Sequence, residues 1–577
     1  MKISFRFIYC VLFFWIILFI SGFQINDAKG QSSHGLTPFQ YGSVKQLHAS
    51  KAAVVSAHPL ASQAGAIMLK KGGNAFDAAI ATQWALAVVL PEAGNIGGGG
   101  FLVATMANGD KYALDYREKA PGKATENMYI DKEGKANTHK SQNGHLASGI
   151  PGTVAGLFET HRYAILPMAT LLEPAIQLAQ EGFAITANEA SGLNRTKKAF
   201  VAYNTEIPVF VKDSLWKQGD TLVQKDLAKT LRNIQSLGAK GFYEGETAAL
   251  LVAEMTRGAG IITIEDLKNY KAVWRKPVVF DYKGHEIISM PPPSSGGIML
   301  HQMLAMLSRF PLDKMGFHTA ESVQLITEVE RLAYADRAEF LGDPDFYKVP
   351  AETIVSETYI SQRLSNYKKD TAGVSKNVSH GMLPESEETT HLSVMDSYGN
   401  AVSVTTTLNG GYGSKTVVAG AGFLLNNEMD DFSVQPGVAN MYGAIGGKAN
   451  AIAPHKRMLS SMTPTIVMKS NKPFMVVGTP GGTTIITSVL QSIVNVIDFN
   501  LSAYEAVNEP KFHHQWLPDE LYLETTFPIA TMEKLKKMGY IIKGRGSIGR
   551  TDMILVNKDG TLDAVGDNRG DDSAAGW

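Results

Sequence analysis

The stretch from Thr389 to Thr407 is the tightest constraint in this 577-residue chain. Thr389-Thr390-His391-Leu392-Ser393-Val394-Met395-Asp396 and Ala401-Val402-Ser403-Val404-Thr405-Thr406-Thr407 are β-branched, roughly alternating runs flanking Ser397-Tyr398-Gly399-Asn400. Such runs around a Gly-Asn turn predict a β-hairpin. Setting Asp396 opposite Ala401 puts Thr389 opposite Leu408 and leaves Thr407 one residue away. Two threonine hydroxyls then lie near one end of the hairpin. Residues 367–388, just upstream, are the most polar and acidic part of the chain and end in Glu385, Glu387 and Glu388. They read as an exposed, mobile loop running straight into the first strand.

The chemistry open to this hairpin is narrowed by what the chain lacks. Its one cysteine is Cys10, which excludes an intrachain disulfide framework and cysteine-based zinc or iron–sulfur sites. Cys10 lies in an apolar run, Phe7 to Phe23, preceded by Lys2 and Arg6 and followed by Ala28-Lys29-Gly30. That is the layout of a secretory signal peptide; an uncleaved signal anchor is the other reading. Export to the periplasm or outside the cell is therefore expected, with a mature chain free of cysteine. Lys+Arg number 54 against 55 Asp+Glu, so electrostatic capture of nucleic acid has no charge excess to work with. Hydrophobic content of 44% with 19% charged residues belongs to a packed globular protein. At ~150 residues per domain, this length allows about four domains.

Other segments are equally legible. His58 to Leu90 reads as a helical pair broken at Gly72-Gly73-Asn74. Gly94 to Gly100 is a glycine cluster leading into strands at 101–106 and 112–116, the second ending at Arg117. Residues 31–50 read as polar and loose, 160–270 as mostly helical, and 291–297 as a sharp turn into a helix over 298–307. Phe474 to Val477 reads as a strand, Gly478-Thr479-Pro480-Gly481-Gly482 as a turn, and Thr483 as the start of a helix with Ile485, Val489, Ile493 and Val496 as its buried stripe. That unit aims free backbone N–H groups at one spot.

With no thiol, the candidate nucleophiles are hydroxyls, which need an adjacent base. There is no Gly-x-Ser-x-Gly elbow. His391 is one candidate base, two residues from Thr389 on the same strand face. The alternative is a threonine at a chain start, whose α-amine, of ordinary pKa about 7.7–8.0, takes the proton. That requires a break before Thr389, which the acidic loop would accommodate. By β-propensity alone, a Thr-Thr strand start and a strand Thr407 need no function.

Thr389-Thr390-His391-x-Ser393-Val394 with Asp396, then Thr407-Leu408-Asn409, resembles the small-subunit start of the γ-glutamyltranspeptidase family. So do residues 424–432 (Leu-Leu-Asn-Asn-Glu-Met-Asp-Asp-Phe), Pro454-x-Lys456-Arg457-Met458-Leu459-Ser460-Ser461-Met462-x-Pro464 and Gly478-x-Pro480-Gly481-Gly482. On the upstream side the likeness is carried by Gly72-Gly73-Asn74-Ala75-x-Asp77-Ala78, Gly97-Gly98-Gly99-Gly100-Phe101, Asp115-Tyr116-Arg117-Glu118-x-Ala120-Pro121, Gly149-x-Pro151-Gly152, and Tyr334-Ala335-Asp336-Arg337 through Gly342-Asp343-Pro344.

The resemblance implies an α+β, four-layer αββα sandwich, the N-terminal-nucleophile hydrolase fold, built jointly by two chains cut from one precursor. Residues 1–30 would be the signal, 31–388 the large subunit and 389–577 the small one, with cleavage between Glu388 and Thr389. It further implies that Thr389 is the nucleophile, that Thr407 hydrogen-bonds it, and that Gly481 and Gly482 form the oxyanion hole. Arg117, Ser460 and Ser461 would hold a substrate α-carboxylate, and Asn409, Glu428 and Asp431 its α-ammonium. Tyr442, in the glycine-rich segment 436–448, would belong to a lid. The implied substrates are glutathione and other γ-glutamyl compounds, with water, amino acids or dipeptides as acceptors and no cofactor. His513-His514 with Asp519-Glu520 fits no standard zinc spacing and reads as structural. A glutaryl or cephalosporin acylase, or a polyglutamate transpeptidase, is the related enzymatic alternative. An exported binding protein that kept the fold is the non-enzymatic one.

Overall fold

The computed structural model of the chain describes residues 35–378, 389–433 and 447–577. The apolar segment 7–23, Glu388 and Tyr442 lie outside the described residues.

Two seven-stranded sheets form the centre. One runs, edge to edge, through Ser573–Gly576, Ala53–Ser56, Thr389–Met395, Ala401–Thr407, Gly99–Thr105, Lys111–Asp115 and Val273–Arg275. The other runs through Gln46–Ala49, Leu562–Gly566, Asp552–Val556, Lys472–Gly478, Thr465–Lys469, His285–Ser289 and Val278–Tyr282. Every neighbouring pair in both sheets is antiparallel. Strands from before residue 378 and after residue 389 mix within each sheet, so neither part of the chain has a sheet to itself.

Residue alternation assigns the layers. Val55, Phe101, Val103, Met395, Ile466, Val476 and Ile554 pack together between the sheets. Their strand neighbours Val54, Leu102, Ala104, Leu392, Val394, Val402 and Val404 face outward onto the helices Pro59–Lys70, Ala75–Val89, Met168–Glu181 and Lys225–Leu237. On the far side, Ile287, Val467, Met475, Val477, Met553 and Val565 pack onto Gly296–Leu307, Ala320–Phe340 and Thr484–Ile497. The result is helix, sheet, sheet, helix, and the four-domain expectation from length gives way to one layered unit. An antiparallel sheet covered on both faces cannot be divided into separate domains without exposing its core.

The helical pair forms as the sequence indicates. Asn74 caps the second helix and Asp77 closes a capping box with it. That helix is buried along its whole length: it lies on the sheet beside its partner, with the helix Met168–Glu181 also packed against it. The helix Thr484–Ile497 is also buried all round from Thr484 to Val496, a wider contact than the expected stripe. Two expectations of looseness hold only in part. Gln46–Ala49 pairs with Leu562–Val565 as a sheet edge. Within 367–378 most residues are exposed as expected, but Ser375 is fully buried, donates its backbone N–H to Asp519 and accepts from the indole of Trp516.

The hairpin register differs from the expected one by one residue. Asp396 N donates to Asn400 O at 3.1 Å, so the loop is Ser397-Tyr398-Gly399, three residues long. Gly399 takes φ +93°, the left-handed residue such a loop requires. The Asp396 carboxylate accepts from Tyr398 N and Asn400 N, and from Ala75 N at the start of a helix. Thr389 therefore pairs directly with Thr407, His391 with Thr405, and Ser393 with Ser403.

His391 shows how tightly the sheets meet. A Cβ on Gly478 of the opposite sheet would lie 2.2 Å from its ring. The ring is held by Thr405 Oγ1 at 2.9 Å and Ser393 Oγ at 3.1 Å and has no room to retreat. Gly478→Ala is expected to cost about 1–3 kcal/mol of stability, measured by denaturant unfolding of the full chain. A neutral result would mean that the sheets part more readily than this packing implies.

Candidate functional site

Because Met395 and Ala401 face the inter-sheet layer, so do the residues that alternate with them. Thr389, His391 and Ser393 on one strand and Ser403, Thr405 and Thr407 on the other make a polar strip there, ending at the Thr389–Thr407 pair. Thr389 Oγ1 lies 3.4 Å from Thr407 Oγ1, which also accepts from Asn409 N at 2.8 Å. Both threonines are buried. Asn95 braces this end: its Nδ2 donates to Thr407 O at 2.9 Å and to Thr406 Oγ1 at 3.2 Å. The glycine run 99–100 lies beside it as the paired strand, with Gly99 opposite Thr407.

His391 is not placed to serve Thr389. Both ring nitrogens are taken by Thr405 and Ser393, and burial lowers its pKa from the ordinary 6.5 to about 3. It is a neutral brace and not a base for Thr389.

One cavity collects Arg117, Thr389, Thr407, Asn409, Glu428, Asp431, Ser460, Ser461 and Gly482, with Met462 and Ile485. Arg117, at the end of the strand Lys111–Asp115, is 1% exposed. Its guanidinium contacts Asp431 Oδ2, Glu428 Oε2 at 2.5 Å and Glu118 Oε2 at 3.6 Å. Its backbone N–H donates to Asp115, which pairs in turn with Arg275 and Arg457. Burial pushes Glu428 well above the usual carboxylate range, against the opposing pull of Arg117. Glu118, fully buried, is pushed up to about 8 for the same reason. Several carboxyls thus share one guanidinium, which leaves the cluster with more acid than base.

The remaining wall is held by backbone. Asn409 sits at φ +74° and donates from its amide to Asn427 O at 3.0 Å. Asn426 anchors the approach to Glu428 by accepting from Glu428 N and Gly149 N and donating to Gly97 O. Asn450 donates to Asp431 O and accepts from Leu459 N, which ties the acidic turn to the Ser460–Ser461 segment.

Gly482 lines this cavity, whereas Gly481 lines a second one that also contains Thr389. The two glycines take φ +58° and +133° and form the turn into the helix Thr484–Ile497. Among the described residues neither N–H has an acceptor. Donors at a helix start beside a hydroxyl suit a developing oxyanion.

Two residues that the sequence motifs include, but to which no role was assigned, stand at the site. Arg337 lies buried behind Ser461, donating to its Oγ at 2.9 Å and to Ser295 Oγ at 2.7 Å. Glu118, next to Arg117 in sequence, points into the same charge cluster. An Arg at the end of a long helix and a Glu after a strand carry no periodic or spacing signal; only the fold brings them here. His513 and His514 brace the same half of the molecule: His513 meets Thr487 Oγ1 at 2.9 Å and Gln515 Oε1 at 2.8 Å, and His514 meets Asp519 at 3.3 Å.

Comparison with known proteins points one way. The family model described as gamma-glutamyltranspeptidase matches residues 61–577. The glutathione hydrolase proenzyme of Escherichia coli (strain K12) is 46% identical over 551 residues, covering 94% of this chain and 95% of that protein. The crystal structure of the Helicobacter pylori gamma-glutamyltranspeptidase is 46% identical, with TM-score 0.55, over 57% of this chain and 95% of that one. That of cephalosporin acylase from Bacillus halodurans superposes with TM-score 0.81 at 26% identity, over 93% of this chain and 98% of that one.

The charge cluster yields a pH prediction. Glu118 is raised from 4.5 to about 8, so the folded chain holds a proton there that the unfolded chain has lost. Its contribution to stability therefore falls as pH climbs through that window. Glu118→Gln removes the titration, and its denaturation midpoint should gain on the parent's between about pH 5 and pH 8. A difference that stays constant with pH would contradict this account.

Proposed function

The chain belongs to the gamma-glutamyltranspeptidase family, and from that premise we propose that Thr389, freed at its α-amine by cleavage after Glu388, is the nucleophile of its reaction. The activity is γ-glutamyl transfer and glutathione hydrolysis by a self-processed precursor. The observation that carries the residue assignment is the shared cavity in which Thr389, Thr407, Gly482 and a buried arginine–carboxylate cluster meet.

The positions support the following course of reaction. In the precursor, the Thr389 hydroxyl attacks the Glu388 carbonyl, and the C–N bond breaks as the ester forms. Water then opens the ester, leaving a Glu388 carboxylate and a free Thr389 α-amine. In the mature enzyme that amine takes the hydroxyl proton, with Thr407 Oγ1 at 3.4 Å orienting Thr389 Oγ1. The hydroxyl attacks the γ-amide carbonyl, and the oxyanion meets the N–H groups of Gly481 and Gly482, each worth roughly 2.7–4 kcal/mol by analogy with known donors. The amine product leaves, and water or an amino acid or dipeptide resolves the γ-glutamyl ester.

The substrate head group fits the charge cluster by exchange. Its α-carboxylate takes the Arg117 fork with the Ser460 and Ser461 hydroxyls, displacing Glu428 and Asp431. Its α-ammonium takes those two carboxylates, with Asn409 beside them. The Arg117 contacts with Glu428 and Asp431 are replaced by pairs with the substrate's two charges, and no buried charge is left alone. A glutaryl group has no ammonium to offer, so this cluster favours γ-glutamyl compounds over the acylase reading. The cleaved pieces, 31–388 and 389–577, stay together through their shared sheets. Residues 1–30 direct export to the periplasm or beyond, either removed as a signal or kept as an anchor.

Thr389→Ala is expected to give a single uncut chain with no γ-glutamyl turnover, read by intact mass and by release of aniline from a γ-glutamyl anilide. A mutant that is cut normally would remove Thr389 from this role. Arg117→Lys keeps the charge but loses the fork, so KM for the anilide should rise about tenfold or more. Turnover of a glutaryl amide without turnover of the γ-glutamyl anilide would favour the acylase instead.

A further inference from the structure

The hydroxyls of Ser460 and Ser461 belong to the cavity that holds Arg117 and Thr389. Both serines are buried, and each hydroxyl already accepts one hydrogen bond. Ser461 Oγ accepts from Arg337 Nη2 at 2.9 Å, and Ser460 Oγ accepts from Met462 N at 3.2 Å. Among the described residues neither hydroxyl donates one. A serine hydroxyl has a single hydrogen, which turns to suit its partners. With an incoming donor on each oxygen, both hydrogens are left for whatever enters the cavity.

The partner of Ser461 decides the sense of that bond. A guanidinium carries five N–H donors and no acceptor, so it can never take the Ser461 hydrogen. Arg337 is fully buried and is fixed along its other edge. Its Nε donates to Ser295 Oγ at 2.7 Å, and Ser295 Oγ and Ser295 N each donate to Ser460 O at 2.7 Å. One guanidinium thus braces both serines, Ser461 directly and Ser460 through Ser295. It projects from the last turn of the helix Ala320–Phe340, one turn after Tyr334. The Tyr334 hydroxyl donates to Thr483 O, next to the Gly481–Gly482 turn. One helix face therefore holds the serine pair and the glycine turn in a common frame.

We propose that Arg337 is a positioning residue for the substrate α-carboxylate, acting through Ser461, whose hydroxyl it locks as a donor toward the cavity. The inference rests on the proposed placement of the head group on Arg117, Ser460 and Ser461. A carboxylate accepts hydrogen bonds and donates none, so two hydroxyls held as donors complement it. The run from guanidinium N–H to hydroxyl to carboxylate aligns its dipoles in one sense, and each bond strengthens the next. Arg337 touches no substrate atom in this arrangement. It sets the direction of a hydroxyl that does.

The test compares a γ-glutamyl anilide with the 4-aminobutyryl anilide, which keeps the ammonium and lacks the α-carboxylate. With the processed wild-type enzyme, kcat/KM should favour the first by about a hundredfold or more, the value of a charged, forked contact. Arg337→Met should cut that preference about tenfold, through KM rather than kcat. Ser461→Ala should cut it by a similar factor, and adding Arg337→Met to Ser461→Ala should change it by less than about twofold. A merely structural role would repeat the same loss in both backgrounds. An undiminished preference in Arg337→Met, or its full loss on top of Ser461→Ala, would overturn the proposal. Ser295→Ala, which removes the acceptor at Arg337 Nε, is the milder variant and should lower the preference about threefold. It decides if Arg337→Met is not recovered in processed form, and no change there would also overturn the proposal. A wild-type enzyme indifferent to the α-carboxylate would instead overturn the head-group placement, and the inference with it.

Discussion

The direct pairing of Thr389 with Thr407 is the contact on which the rest of the molecule depends. It places two hydroxyls side by side at the end of the inter-sheet layer. It exists because a three-residue loop, closed by Gly399 and clamped by Asp396, sets the register of the central hairpin. A slip of one residue would turn Thr389 outward and expose Val394 and Leu392 to the wrong layer. The same Asp396 reaches the start of the helix Ala75–Val89, so register and helix docking are one constraint.

The inter-sheet layer is unusual in being polar along one strip and apolar beside it. His391, Ser393, Ser403 and Thr405 satisfy one another or the backbone of the opposite sheet, so their burial is not costly. This arrangement makes the hairpin rigid up to its last pair. A nucleophile held on such a strand loses little entropy when it meets its substrate. The electrostatics beside it work in the opposite sense. Arg117, Glu118, Glu428 and Asp431 are crowded with more acid than base, and that tension is what an α-ammonium would relieve.

The mixing of strands from both sides of residues 379–388 explains how a cut there would be tolerated. Each sheet would keep its hydrogen bonds across the break, since strands from the two sides pair directly: Thr389–Met395 with Ala53–Ser56, Ala401–Thr407 with Gly99–Thr105, and Thr465–Lys469 with His285–Ser289. The four-domain expectation fails for the same reason. Length counts residues, whereas domains count separable cores, and here the two sheets share one.

The hairpin, the capped helical pair around Asn74, the strand–turn–helix at 474–497 and the absence of a usable thiol were all legible in the sequence, because each rests on local propensity, turn chemistry or composition. The family motifs named Thr389, Thr407, Arg117, Asn409, Glu428, Asp431, Ser460, Ser461 and Gly482, and the fold gathers them around one cavity. What the sequence missed was long-range. The register depended on whether Asn400 belonged to the loop or the strand, a choice made by a hydrogen bond that spacing cannot reveal. Arg337 reaches Ser461, and Arg550 a cavity shared with Thr389, from separate elements, whereas Glu118 is the chain neighbour of Arg117 and only its burial in the charge cluster was not legible. The sequence alone determined which residue types could do chemistry and which local elements would carry them. Only the tertiary structure decided which charges face one another, because burial and distance, not order along the chain, set the strength of an electrostatic contact.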